Sequence, residues 1–94
     1  MESQTLALDA KPRHSPRHMF RWEQSQNAWL LLYPEGVIKL NAVAGEILKR
    51  CNGANDVAAL LDELVGVFDA PAEAVREGTL SFLTTARDKG WIVV

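Results

Sequence analysis

A lone cysteine, Cys51, leaves the chain without an internal disulfide framework and without any Cys-x-x-Cys zinc pair. Its two histidines, His14 and His18, both precede residue 19. The region expected to fold therefore holds no histidine to carry a proton or activate Cys51. Also missing are a glycine-rich phosphate loop and a serine in a strained strand-to-helix elbow. No apolar run approaches the ~20 residues that span a bilayer. The start lacks the basic region, apolar core and cleavage site of a secretory signal, so the expected location is the cytoplasm. Positive charge is not in surplus: 10 Lys and Arg against 12 Asp and Glu give a net −2, which excludes a general coat for nucleic acid. The carboxylates Glu46, Asp62, Glu63, Glu73, Glu77 and Asp88 fall on polar helix faces, and nothing marks two of them as acid and base. Catalysis, a cofactor and a metal site are all not expected.

What is present begins with a division near residue 19. Residues 1–18 contain Pro12 and Pro16, no helix or strand periodicity, and the near-repeat Pro12-Arg13-His14 and Pro16-Arg17-His18. This predicts a flexible N-terminal arm, followed by a single domain over residues 19–94. The basic run Lys11, Arg13, Arg17 and Arg21 reads as a solvated tail, with a grip on an acidic partner or phosphates as the alternative. His14 and His18 have the spacing of two ligands on one helix face. Pro16 between them and the lack of a third ligand argue against a metal.

From Met19 the pattern alternates. Phe20 and Trp22 fall on one side of a strand, with Met19, Arg21 and Glu23 on the other. Gln24-Ser25-Gln26-Asn27 is a polar turn. Ala28 to Tyr33 is apolar on both faces, as a central strand is. Tyr33-Pro34-Glu35-Gly36 fits a tight turn in which glycine takes the left-handed position, and Gly36 to Leu40 forms a third strand. Three helices follow. Asn41 caps the first, whose inner stripe is Val43, Ala44, Ile47, Leu48 and Cys51, and Asn52-Gly53 stops it. Cys51 on that stripe reads as a small buried hydrophobe. Asn55 or Asp56 starts the second helix, with Val57, Leu60, Leu61, Leu64, Val65 and Phe68 inward. Pro71 falls in the first turn of the third, after Asp69 or Ala70. Val75, Thr79, Phe82, Leu83 and Ala86 face in, and Lys89-Gly90 ends it before a short strand at Trp91–Val94. The class is α+β: a three-stranded antiparallel sheet followed by three helices.

A meander of this kind has two edges with unpaired backbone groups. Its last strand is short and carries one charge, Lys39. An extended peptide can add beside Val37, Ile38, Lys39 and Leu40, with its side chains reaching the nearest helix. If that helix is the third, spacing puts Arg76, Leu80 and Arg87 at the border of the groove and Leu83 on its floor. The two arginines would suit acidic residues. The same edge and small core permit self-pairing into a homodimer.

The stretch Trp29-Leu-Leu-Leu-Tyr-Pro-Glu-Gly-Val-Ile-Lys-Leu-Asn41, with Ala44-Gly-Glu-Ile-Leu48 and Cys51-Asn-Gly53, resembles the pyrroloquinoline quinone biosynthesis protein D (PqqD) family. Pro16-Arg17 with Arg21-Trp22-Glu23 fits the family's opening, and Phe82-Leu83 with Gly90-Trp91 its close. Glu77 stands where the family usually has aspartate. Gly78 sits inside the third helix where a helix former is expected, at a cost of about 1 kcal/mol relative to alanine. The resemblance implies a winged-helix-like RiPP recognition element: a peptide chaperone without a cofactor of its own. It would bind the ribosomal precursor peptide PqqA through the third strand and third helix. It would then present that peptide to the radical S-adenosylmethionine enzyme PqqE, which cross-links a glutamate and a tyrosine in it. The alternative is a winged-helix DNA-binding protein, disfavoured because the second helix offers only Asp56, Asp62 and Glu63 as charges.

Overall fold

The computed structural model describes residues 5–94. Two-residue strand β1 (Arg13–His14) precedes the expected meander, which is β2 (Met19–Glu23), β3 (Ala28–Tyr33) and β4 (Gly36–Lys39), antiparallel in the order β2-β3-β4. The register sets Leu31 between Phe20 and Ile38 on the inner face, and Trp29 opposite Trp22. Phe20 stacks on Trp29 at 4.2 Å between ring centres, and Trp22 meets Trp29 edge-on at 5.4 Å. The other face carries the rows Met19–Leu32–Val37 and Arg21–Leu30–Lys39. In the first turn Asn27 adopts the left-handed conformation, φ 51°, which asparagine tolerates better than most residues. The second turn differs from expectation. Gly36 pairs directly opposite Tyr33 as the first residue of β4, and it is not among the positive-φ glycines.

Helices α1 (Ala42–Lys49), α2 (Val57–Val67) and α3 (Ala72–Asp88) follow, then β5 (Ile92–Val93). Asn41 caps α1 by accepting from the Ala44 N–H at 2.7 Å, and Asp56 caps α2 by accepting from the Ala59 N–H at 2.8 Å. Pro71 is itself the N-cap of α3, so that helix begins one residue later than the proline-first-turn reading, without a side-chain cap. Gly90, directly after the C-cap Lys89, supplies the positive φ, 78°, that lets the chain leave α3. Helix α1 ends earlier than the Asn52-Gly53 stop, with Arg50 as its C-cap, and Gly53 (φ 80°) serves the turn beyond it. Leu31, Ile47, Leu48, Cys51, Val57, Leu60, Leu64, Leu83, Ala86 and Ile92 form the innermost core. Burial pushes the Cys51 thiol up to about 12, and its Sγ–H donates to the Ile47 carbonyl. That thiol is inert packing. A bidentate link reinforces the α1–α2 contact, with Arg50 reaching Glu46 at 2.7 Å and Glu63 at 2.8 Å. The Arg50 hydrogen bond holds the Glu46 carboxyl below its usual range. Gly45 allows α1 to sit on β3: a Cβ there would lie 2.6 Å from Trp29 Cδ1. Val43, expected on the inner stripe of α1, is 52% exposed. It stands at the lip of a cleft described below.

The N-terminal segment differs most from the sequence reading. Residues 1–4 of the expected arm lie outside the described residues. The rest, 5–18, is seated on the domain. Leu6 is buried in the core cluster, and Pro12 is fully enclosed. The first N–H groups of a helix have no partner inside it. Here Val57 N–H donates to the Ala10 carbonyl and Ala58 N–H to the Leu8 carbonyl, at 2.9 and 3.0 Å. Strand β1 pairs with β5, Arg13 opposite Val93 and His14 opposite Ile92. The His14 Nε2–H donates to the Leu48 carbonyl at 2.6 Å and the His18 ring lies against Tyr33, so both histidines belong to the folded unit. Main-chain hydrogen bonds do this work, and they leave no side-chain period to read.

Candidate peptide-binding cleft

Antiparallel ladders alternate hydrogen-bonded and non-bonded pairs. Leu40 N–H donates to the Trp29 carbonyl at 2.9 Å, which fixes the phase. With the register Leu31 opposite Ile38 and Tyr33 opposite Gly36, the backbones of Gly36, Ile38 and Leu40 point at β3. Those of Val37 and Lys39 point away. Since β4 is the outer strand of its sheet, the N–H and C=O groups of these two residues form an open edge among the described residues. Their side chains share the face opposite the core, and Val37 is 57% exposed. The Ile38 side chain packs on the core from the inner face, and Leu40 is buried.

Helix α3 forms the facing wall. At about 100° per residue, Val75, Gly78, Thr79, Phe82, Ala86 and Lys89 fall within an arc of about 100°. Two hollows lie against this arc. One, about 360 Å³, is lined by Val43 of α1, Phe68, Val75, Gly78 and Thr79. The other, about 450 Å³, is lined by Ile38 of β4 with Tyr33, Glu35, His18, Lys89 and Trp91. Phe82 lies between them on the helix, half-buried, its ring 6.3 Å from that of Trp91. The chain from β4 into α1 thus runs beside one flank of α3, with apolar side chains on the walls and polar heads at one end.

Of the residues assigned from sequence, Val37, Ile38, Lys39 and Leu40 come together on this edge strand. Arg76, Leu80, Leu83 and Arg87 do not face it. They occupy an arc of about 60° on the other flank of the helix, centred about 110° round from Val75. Arg76 reaches across to Asp62 of α2 at 2.7 Å. Leu83 is fully buried in the core. Leu80 is half-buried and lines a surface depression with Thr5, Ser81 and Thr84. Arg87 sits against its neighbour Asp88. Residues on the cleft side that sequence reasoning did not select are Gly78, Phe82, Lys89 and Trp91, with Arg17 and His18 from the N-terminal segment. Phe82 was legible as an inward position; which side of the inward stripe meets β4 was not.

The family model described as "Coenzyme PQQ synthesis protein D (PqqD)" matches residues 28–92. A PqqA binding protein of Azotobacter vinelandii is 41% identical over 73 residues, covering 78% of this chain and 78% of that protein. A PqqA binding protein of Pseudomonas aeruginosa PAO1 is 41% identical over 86 residues, covering 92% of each. Among solved structures, the PqqD truncation of Methylobacterium extorquens PqqCD, a RiPP recognition element, superposes with a TM-score of 0.76. It has 24% identity and covers 98% of this chain and 97% of that one. Lasso peptide synthetase B1 complexed with its leader peptide gives a TM-score of 0.74 at 17% identity, covering 90% of this chain and 100% of that one. At these identities the two structures share the fold.

Proposed function

This chain belongs to the PqqD family, and from that premise we propose that it is a peptide chaperone without catalytic activity of its own. It binds the precursor peptide PqqA as an added strand on β4 and presents it to the radical S-adenosylmethionine enzyme PqqE in the cytoplasm. The observation that carries this reading is the open edge of β4, where Val37 and Lys39 offer outward N–H and C=O groups beside the apolar flank of α3. Backbone groups on such an edge supply affinity, and alternate side chains reaching the wall supply specificity. The relatives named as PqqA binding proteins support the choice of peptide. The domain that does this spans residues 19–94, with residues 5–18 seated on it as its N-terminal strap.

Within this reading the strand contribution comes from Val37, Ile38, Lys39 and Leu40. The helix contribution moves from Arg76, Leu80, Leu83 and Arg87 to the β4 side of α3, at Gly78, Phe82 and Lys89. Delivery is the mechanism. Tethering the precursor beside the enzyme raises its effective concentration to roughly millimolar for short flexible links, and a fixed strand register limits which segment arrives.

An amide NMR titration of the labelled chain with synthetic PqqA tests the binding step. Shifts should concentrate at residues 37–40 and at Gly78, Phe82, Lys89 and Trp91, leaving Arg76 and Leu80 still. No shifts at high micromolar peptide would sink the reading. For delivery, cross-linking of PqqA by PqqE should fall when the chain is omitted.

A further inference from the structure

We propose that the hollow at the start of β4 is a carboxylate pocket, which takes an acidic group of the segment bound along that strand. The inference rests on the peptide-binding reading above and adds to it the chemistry of one subsite. The hollow opens where Tyr33, Pro34 and Glu35 turn into β4, and Lys89 and Trp91 close its other side. Ile38 forms part of its wall, so a strand added along Val37 and Lys39 runs past it.

Its charge is out of balance. Arg17 and Lys89 line it against the single carboxylate of Glu35, with the His18 imidazole as a further polar group. Among the described residues four of the other five arginines have a carboxylate beside them, Arg21 with Glu23, Arg50 with Glu46 and Glu63, Arg76 with Asp62 and Arg87 with Asp88, and Arg13 is the exception. Neither Arg17 nor Lys89 has a carboxylate within 4.0 Å among the described residues. Lys89 instead lies over the Trp91 ring, 5.9 Å from its centre. His18 rests against Tyr33 at 5.5 Å between ring centres. Its Nδ1 is shut off from solvent without a hydrogen-bond partner, which leaves Nε2 as the nitrogen to meet a ligand.

Cations on the rim of a concavity walled by Tyr33, Ile38 and Trp91 concentrate positive potential inside it. A carboxylate entering there gains charge-assisted hydrogen bonds. An apolar side chain in the same place would strip water from those polar heads and give them nothing back. The acidic group can be a side chain of the bound segment or its terminal carboxylate.

Calorimetry on the full chain separates these. The probes are a synthetic PqqA peptide, a panel in which each Asp or Glu is singly changed to Asn or Gln, and the C-terminally amidated peptide. Each is titrated into the wild type and into a double variant, Arg17→Gln with Lys89→Gln. Both positions are exposed, and a thermal melt checks that the variant folds. One acid-to-amide change should weaken binding to the wild type roughly tenfold and to the double variant less than about twofold. A loss confined to the amidated peptide, and cancelled in the variant, keeps the pocket and assigns it to the terminus. The proposal is overturned if every peptide binds the wild type equally well, or if the loss persists undiminished in the double variant. Failure of the unsubstituted peptide to bind at all is a different result; it removes the peptide-binding reading and the pocket with it.

Discussion

The two flanks of α3 are built from the same helix and treated in opposite ways. Toward α2, Leu83 is enclosed in the core, Arg76 is answered by Asp62, and Leu80 lies beside Thr5 of the N-terminal segment. Toward β4, Gly78 presents no side chain, Phe82 is half-covered, and Lys89 has an indole for a neighbour but no carboxylate among the described residues. The closed flank has satisfied its groups within the chain. The open flank faces a strand whose outward backbone groups have no partner among the described residues. Buried polar groups are nearly always paired, and edges are normally defended by charge, proline or a covering element. A short edge defended by one charge, Lys39, beside an unfinished helix face leaves room for something extended to lie in it. On the proposed reading stability resides on one side of α3 and binding on the other, and each half of that proposal can be broken separately.

The largest expected effect is on the closed side. Leu83→Ala empties a fully buried position and should cost about 2–5 kcal/mol of unfolding free energy, measured by urea titration. The fraction that remains folded should bind PqqA with unchanged affinity. A selective loss of binding at full stability would mean that Leu83 lines the groove after all.

On the open side, proline scanning of β4 separates outward from inward backbone groups. Val37→Pro removes an outward N–H and no ladder bond, so peptide affinity should fall roughly tenfold. Ile38→Pro removes a donor aimed at β3 and should unfold the sheet edge instead. Equal destabilisation by both would show that the hydrogen-bond phase inferred from the Leu40–Trp29 contact is wrong.

Gly78 is expected to respond with opposite signs in the two assays. A Cβ there meets nothing within 4 Å in the free protein, so Gly78→Ala should stabilise the helix by about 0.5–1 kcal/mol. The same methyl group stands on the wall that a bound segment approaches, so affinity should drop modestly. A rise in stability together with unchanged affinity would place the bound chain closer to β4 than to α3.

What could be read in the sequence divides along physical lines. Caps are local: Asn41 and Asp56 each sit three residues before the N–H they accept from, and such signals survive without tertiary information. The edge strand was legible because β4 is the last strand of a three-stranded meander, which leaves it a free side by connectivity alone. The flank of α3 that meets it was not. The inner stripe of Val75, Thr79, Phe82 and Ala86 follows from spacing, but the rotation of that stripe is a tertiary matter, set where α3 packs on α2 and where Trp91 lands beside Phe82. Arg76, Leu80 and Arg87 lie on the flank that turns toward α2, about 120° round from the arc beside β4, and spacing alone does not say which flank meets the strand. The N-terminal segment escaped for another reason. Ala10 and Leu8 hold the start of α2 with carbonyl oxygens, and every residue type carries one of those.

Arg76 gives the smallest expected effect and the sharpest test of which flank is which. Its guanidinium and the Asp62 carboxylate are 47% and 68% exposed, and pairs in such positions are worth about 0.2–1 kcal/mol. Arg76→Ala should therefore shift the urea midpoint only slightly and leave the Kd for PqqA within about twofold, the range expected of a surface change away from the ligand. Arginine at a peptide groove behaves differently, because removing it strands a carboxylate on the partner that water then has to reach past the bound chain. A tenfold loss of affinity in Arg76→Ala, with stability intact, would mean that the peptide crosses to the α2 side of α3. The open flank beside β4 would then need another occupant, and the carboxylate pocket at Arg17 and Lys89 would be too far round the helix to serve the same ligand.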